Sequence, residues 1–213
     1  MPAGFSRFYI EADVLSLIRG PESFPARVAY LADLPLAPNG KPSKPAKKSE
    51  YLIIGDTVGG RPGEIRLAAP DAQLAYSPER AQLIRNVLKE AAAPEAPPRI
   101  TGIGRAFHVP GSLPGESETQ IFLQTAGGEP VSLNVLRRPG ETPRWAVALG
   151  DIVDDAAAPP EPNTLLWYRL ACFLPRNMPA QSLASASSQE ARAIQADYRL
   201  VLERLGPCTR SRR

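Results

Sequence analysis

The chain has 213 residues, 43% of them hydrophobic, with a formal net charge of +3. That apolar content supports a packed core and excludes wholesale disorder. The 24 prolines exclude a fold built on long helices and favour short strands and loops.

The N-terminal stretch MPAGFSRFYIEADVLSLIRG has no basic start and no unbroken apolar core. No secretory signal is expected from it, and no run in the chain reaches the length of a membrane span. Strands are predicted over 7–18, 26–36 and 64–69. Between them, NGKPSKPAKKS (39–49) holds Lys41, Lys44, Lys47 and Lys48 among prolines. It reads as an exposed basic loop, since proline bars regular structure and lysine keeps the segment solvated.

The first helix is predicted over 77–93. Ser77 can cap it, Pro78 suits the first helical position and Glu79 favours the positive end. Ile84, Val87, Leu88 and Ala91 then share one face. The stretch AAAPEAPPR (91–99) reads as a semi-rigid linker.

In the second half, strands are predicted over 99–109, 119–125, 130–138 and 144–153, with AGGEP turning the chain between the middle two. TLLWYRLACFLP (164–175) is apolar on both faces and reads as a central, covered strand. A second helix is predicted over 187–205. Ser187 and Glu190 form a capping box, and Ala191, Ile194, Tyr198, Val201, Leu202 and Leu205 form its stripe. Gly206 and Pro207 stop it.

Two phrases resemble one another, YLIIGDTVGG (51–60) and AVALGDIVDD (146–155). Aligned on Gly55-Asp56 and Gly150-Asp151, they set EIRLAA (64–69) opposite WYRLAC (167–172). This predicts a duplication within an α+β chain that is mainly β, with two helices. Two tandem, related small barrels are expected, resembling oligonucleotide-binding barrels in outline, each followed by one amphipathic helix. The first unit spans 1–93 and the second 99–206; residues 207–213 form a basic tail.

Enzyme chemistry finds few candidates. His108 is the one histidine, no nucleophile-elbow motif is present, and the Gly-x-Gly of TGIGRAF lacks the rest of a dinucleotide fingerprint. GGRPGE (59–64) lacks the lysine of a phosphate loop. Asp151, Asp154 and Asp155 read as an exposed strand exit rather than a metal site. Cys172 and Cys208 have no zinc-type spacing and read as two free thiols of a cytoplasmic protein. No catalytic residue, cofactor or metal is expected.

A binding face remains. The positive charge is carried by 20 Arg and 5 Lys, and arginine grips phosphate and stacks on bases. A GC-rich genome would inflate arginine too, together with Ala, Pro and Gly. Arg105 and Phe107 share a strand face, Phe122 lies among glutamines, and Trp167 and Arg169 share the face of the last predicted strand. Aromatics interleaved with cations suit a single-stranded nucleic acid. The expected function is therefore a non-enzymatic single-stranded nucleic-acid binder using these residues and the four loop lysines. The alternative is a protein–protein adaptor or structural subunit, with protein partners or self-association.

Overall fold

The computed structural model describes residues 3–42, 47–150 and 157–208. The chain divides between Arg85 and Asn86 into two compact units. The first holds β1 (Phe5–Asp13), β2 (Arg27–Pro35), β3 (Tyr51–Ile53), β4 (Gly55–Thr57), β5 (Glu64–Leu67) and β6 (Gln73–Ala75); α1 (Pro78–Ala92) runs across the division. The second holds β7 (Ile100–Pro110), β8 (Ser117–Thr125), β9 (Val131–Arg137), β10 (Arg144–Ala148), α2 (Leu165–Ala171), a 3₁₀ turn (Ala180–Leu183) and α3 (Ser188–Leu205).

In the first unit the sheet order is β1-β2-β5-β4, and β3 pairs with β6. β1 and β2 are antiparallel, whereas β2 and β5 are parallel. Side chains alternate along β2, so Val28, Tyr30 and Ala32 are buried together. On the other face Arg7 grips Asp33 through two hydrogen bonds of 2.8 and 2.9 Å, and Arg27 pairs with Asp13 at 2.9 Å.

The second unit is an antiparallel meander, β10-β9-β8-β7. Short turns join its strands. In Arg138-Pro139-Gly140-Glu141 the Glu141 N–H reaches the Arg138 carbonyl at 3.1 Å, and Gly140 has φ 75°. This is the turn that wants proline second and glycine third. One face of the meander buries Ile121, Leu123, Val131, Leu133, Val135, Trp145 and Val147. Ile194, Tyr198, Val201 and Leu205 of α3 join that core. The capping box of α3 forms as expected: Ser187 Oγ accepts from Glu190 N–H, and Glu190 returns a 2.7 Å bond to the Ser187 N–H. Leu202 lies at the rim of the stripe rather than its centre, only partly buried.

Four expectations are corrected. First, the sheets are open, not barrels. β7 and β10 are the ends of their sheet, and helix α3 covers the inner face that a barrel would close over itself.

Second, there are three α-helices among the described residues rather than two. The predicted strand 164–175 is helical. Thr164 Oγ1 caps it by accepting from Trp167 N–H at 3.2 Å, and the Glu90 carboxylate accepts from Leu165 N–H at 2.7 Å. Leu170 and Leu174, four apart, are both buried on the core side.

Third, the repeated phrase does not mark equivalent positions. Gly55 opens β4, where an added Cβ would lie 2.6 Å from the Arg66 carbonyl oxygen. Glycine is there because the β5 backbone comes so close. Gly150 sits in a bend after β10 with nothing around its missing Cβ. The aligned EIRLAA and WYRLAC segments are a strand and a helix.

Fourth, Cys172 and Cys208 are not free thiols. They form a disulfide with Cα atoms 4.9 Å apart, joining the end of α2 to the segment after α3.

Among the described residues no helix is long and apolar enough to cross a membrane.

Candidate functional site

Two surfaces of the second unit bring together groups with binding chemistry. The first is the sheet face opposite α3. In β8 the inward residues Thr119, Ile121 and Leu123 are buried, so Gln120, Phe122 and Gln124 point outward. β7 carries a register shift between Ile103 and Ala106. Beyond it Ala106 faces the core, while Arg105, Phe107 and Val109 are exposed. Phe107 pairs with Gln120 in the ladder, one step from Phe122.

The two phenyl rings meet edge to face with centroids 6.1 Å apart. They remain 43% and 38% exposed, so the pair is a platform rather than core. Ser132 and Asn134 continue the same face on β9, opposite Phe122 and Gln120. Both are buried, and the Asn134 amide donates to Ser132 Oγ at 3.1 Å. The Asn134 Oδ1 has no hydrogen-bond partner, an uncompensated acceptor of the kind that native interiors rarely keep.

The expected site residues divide as follows. Arg105, Phe107 and Phe122 share this face. Trp167 does not: it lies on α2, partly packed against the core, with its indole N–H on the Leu205 carbonyl at 2.9 Å and its ring edge-on to Tyr168. The sequence placed it on a strand because α2 was read as one. Arg169 is on the same helix. Partial burial, and then the neighbouring Arg99, hold its pKa below the ordinary guanidinium value, with Glu129 opposing them. Lys41, Lys47 and Lys48 are exposed on the first unit. Lys44 lies outside the described residues, as do Asp151, Asp154 and Asp155 of the acidic run.

The second surface was not legible in the sequence. His108 belongs to a polar chain on the inner side of the sheet. Its Nδ1 is 2.8 Å from Thr119 Oγ1, which is 2.5 Å from Asp197 Oδ2. Arg137 places Nε at 2.7 Å and Nη2 at 2.6 Å from Asp197 Oδ1. Asp197 is 1% exposed, so its charge must be compensated within the protein.

One hydroxyl proton settles the direction. An ionised Asp197 only accepts, so Thr119 donates to it and in turn accepts Nδ1–H from His108. His108, Pro110, Glu116, Ser117, Arg137 and Ala196 border an open cleft of about 440 Å³.

The order of groups matters for chemistry. A nucleophilic triad runs hydroxyl–imidazole–carboxylate, so that the imidazole takes the hydroxyl proton. Here the hydroxyl sits between imidazole and carboxylate and is fully buried. It orients His108 but is not an accessible nucleophile. Among the described residues no three His, Cys, Asp or Glu side chains cluster to hold a metal ion. The signal that could have found this network is the lone Asp197 within the apolar stripe of α3.

No protein-family model, curated protein or solved structure matches the chain.

Proposed function

We propose that the chain is a non-enzymatic binding protein that takes a single-stranded nucleic acid on the outer face of the second sheet. The observation that carries this reading is the exposed Phe107–Phe122 pair beside Arg105. Unstacked bases lie on aromatic faces, and arginine meets the phosphates between them. Gln120 and Gln124 offer amide donors and acceptors along the same strand. Arg169, beside Arg99, adds positive charge in the same unit. Lys41, Lys44, Lys47 and Lys48 would be phosphate contacts, testable apart from the aromatic pair.

The test is fluorescence anisotropy with a labelled single strand and its duplex at several salt concentrations. Single-strand affinity should exceed duplex affinity and fall steeply with salt. Phe122→Ala should cost about 1–3 kcal/mol of binding and leave the salt slope unchanged. Changing the four lysines to serine should flatten the slope while some affinity remains. Absence of binding at low salt would refute the reading.

A second reading, a protein-binding adaptor, is favoured by the Cys172–Cys208 disulfide. Such bonds persist in oxidising compartments, where accessible single-stranded nucleic acid is not required for an adaptor to act. Val109, 62% exposed next to Phe107, would extend the apolar patch that such a partner covers. Under this reading the wild-type protein binds no oligonucleotide, and Phe122→Ala loses a co-purifying protein instead.

A further inference from the structure

The first unit ends its sheet on β1, nine residues hydrogen-bonded to β2 on one side. The register runs unbroken from Phe5↔Pro35 to Asp13↔Arg27. Just beyond its two ends, Leu36 N–H reaches the Gly4 carbonyl at 2.9 Å and Val14 N–H reaches the Ala26 carbonyl at 2.8 Å. Hydrogen-bonded and non-bonded pairs alternate along an antiparallel ladder. The even-numbered residues therefore bond to β2. The odd ones, Phe5, Arg7, Tyr9, Glu11 and Asp13, turn their N–H and C=O groups to the open edge.

Sheet edges are usually protected by proline, charged side chains, a bulge or shortness. β1 is nine residues long without proline, lysine or bulge, and its charges, Arg7, Glu11 and Asp13, are of both signs. Its side chains add to the exposure. Tyr9 is 63% exposed, and so is its cross-strand neighbour Leu31 at 54%. On the other face Phe8 and Ile10 are only half-buried, whereas Tyr30 and Ala32 opposite them are buried.

We propose that β1 pairs antiparallel with β1 of a second copy of this chain, about a two-fold axis at Tyr9. The strand is its own complement in this register. Tyr9 faces Tyr9 of the second copy, and Arg7 faces Glu11 of the second copy on both sides of the axis. Phe5 faces Asp13 of the second copy. All of these are odd-numbered, so each facing pair exchanges two backbone hydrogen bonds through groups now turned outward.

Across the joined sheet the exposed face gains a central apolar row, Leu31–Tyr9–Tyr9–Leu31. Rows beside it run Asp33–Arg7–Glu11, with alternating charge. Arg7 holds Asp33 with Nε and Nη2, and its remaining N–H donors can serve Glu11 of the second copy. On the other face Phe8 meets Ile10 of the second copy. An isologous contact of this kind closes at two subunits.

Sedimentation velocity across the micromolar range tests the pairing. The wild type dimerises in a concentration-dependent way. Glu11→Arg sets arginines opposite one another at two places and raises the dissociation constant at least about ten-fold. Arg7→Glu does the same with carboxylates. An equimolar mixture of the two variants restores a dimer, because every facing pair is again of opposite sign. Thermal midpoints confirm that each variant is folded.

Tyr9→Cys gives a second readout that needs no charge reversal. Facing Cα atoms of a hydrogen-bonded pair lie about 5.5 Å apart, within disulfide reach. The variant forms a covalent dimer under mild oxidation, and Asp13→Cys does not. A wild type that stays monomeric, a Glu11→Arg variant that dimerises as tightly as wild type, or a mixture that fails to associate would overturn the proposal.

Discussion

Replacing Arg137 by methionine tests whether the Asp197 network holds α3 on its sheet. Asp197 is 1% exposed and accepts from Arg137 at 2.6 and 2.7 Å and from Thr119 at 2.5 Å. Methionine keeps most of the side-chain bulk but leaves a buried carboxylate with one neutral donor. Removing one partner of a buried pair costs about 3–5 kcal/mol, because the remaining charge is uncompensated. The Arg137 side chain is 35% exposed, so water screens part of the attraction, and about 3 kcal/mol is expected. For a unit of this size that lowers the thermal midpoint by roughly 10 °C.

Arg137→Met combined with Asp197→Leu removes both charges and should return to within about 1 kcal/mol of wild type. Asp197→Leu alone also costs stability by unpairing Arg137 and Thr119, so the coupling in this double-mutant cycle should be at least about 2 kcal/mol. Urea denaturation of the four proteins, followed by tryptophan fluorescence, measures it. An Arg137→Met variant within about 0.5 kcal/mol of wild type would show that the carboxylate is not held as a buried ion.

Three other perturbations follow from the same geometry. Cys208→Ser opens a crosslink spanning 36 residues. It should cost up to about 4 kcal/mol on chain-entropy grounds, and two titratable thiols in the native wild type would contradict the bond. Ser187→Ala removes the N-cap of α3 and should cost about 1 kcal/mol, read from the denaturation midpoint. Burial, and then Tyr51, push the Tyr30 phenol up to about 12. Its contribution to stability is then complete below the ordinary tyrosine pKa of about 10 and lost as pH rises through about 12. Phenolate absorbance should show a late-ionising tyrosine that Tyr30→Phe removes.

What could be read from the sequence was whatever rests on local chemistry. α3 was readable because Ser187, Glu190 and Gly206 sit at cap positions around a 3.6-residue stripe. β8 and β9 were readable because their apolar residues alternate about a turn. The 164–175 run was misread because an apolar stretch of that length carries no decisive period. Thr164 was its helix signal, and that cap depends on a single side-chain bond. The repeated Gly-Asp phrase misled for a related reason. Glycine is chosen at 55 by a backbone 2.6 Å from where its Cβ would be, and a contact with residue 66 leaves no trace in the letters around 55. The His108–Thr119–Asp197–Arg137 chain joins residues as far as 89 positions apart, on three strands and a helix. Only the tertiary fold brings them within reach.

The disulfide bears on function more than on fold. α2 already meets the end of α3 through the Trp167 bond to the Leu205 carbonyl and the burial of Leu170 beside Leu205 in one core. A crosslink added where packing already holds the helices contributes mainly by restricting the unfolded chain. That gain exists only where thiols stay oxidised. The expectation of a cytoplasmic protein rested in part on two unpaired cysteines, and it loses that support once they are joined. The nucleic-acid reading needs a compartment with accessible single strands, and the adaptor reading does not. Alkylating the protein as it is released from its native cells, before any air oxidation, therefore orders the two. Blocked thiols at Cys172 and Cys208 would favour the nucleic-acid reading. Thiols that react only after reduction would favour the protein partner, with the Phe107–Phe122 platform as the face it covers.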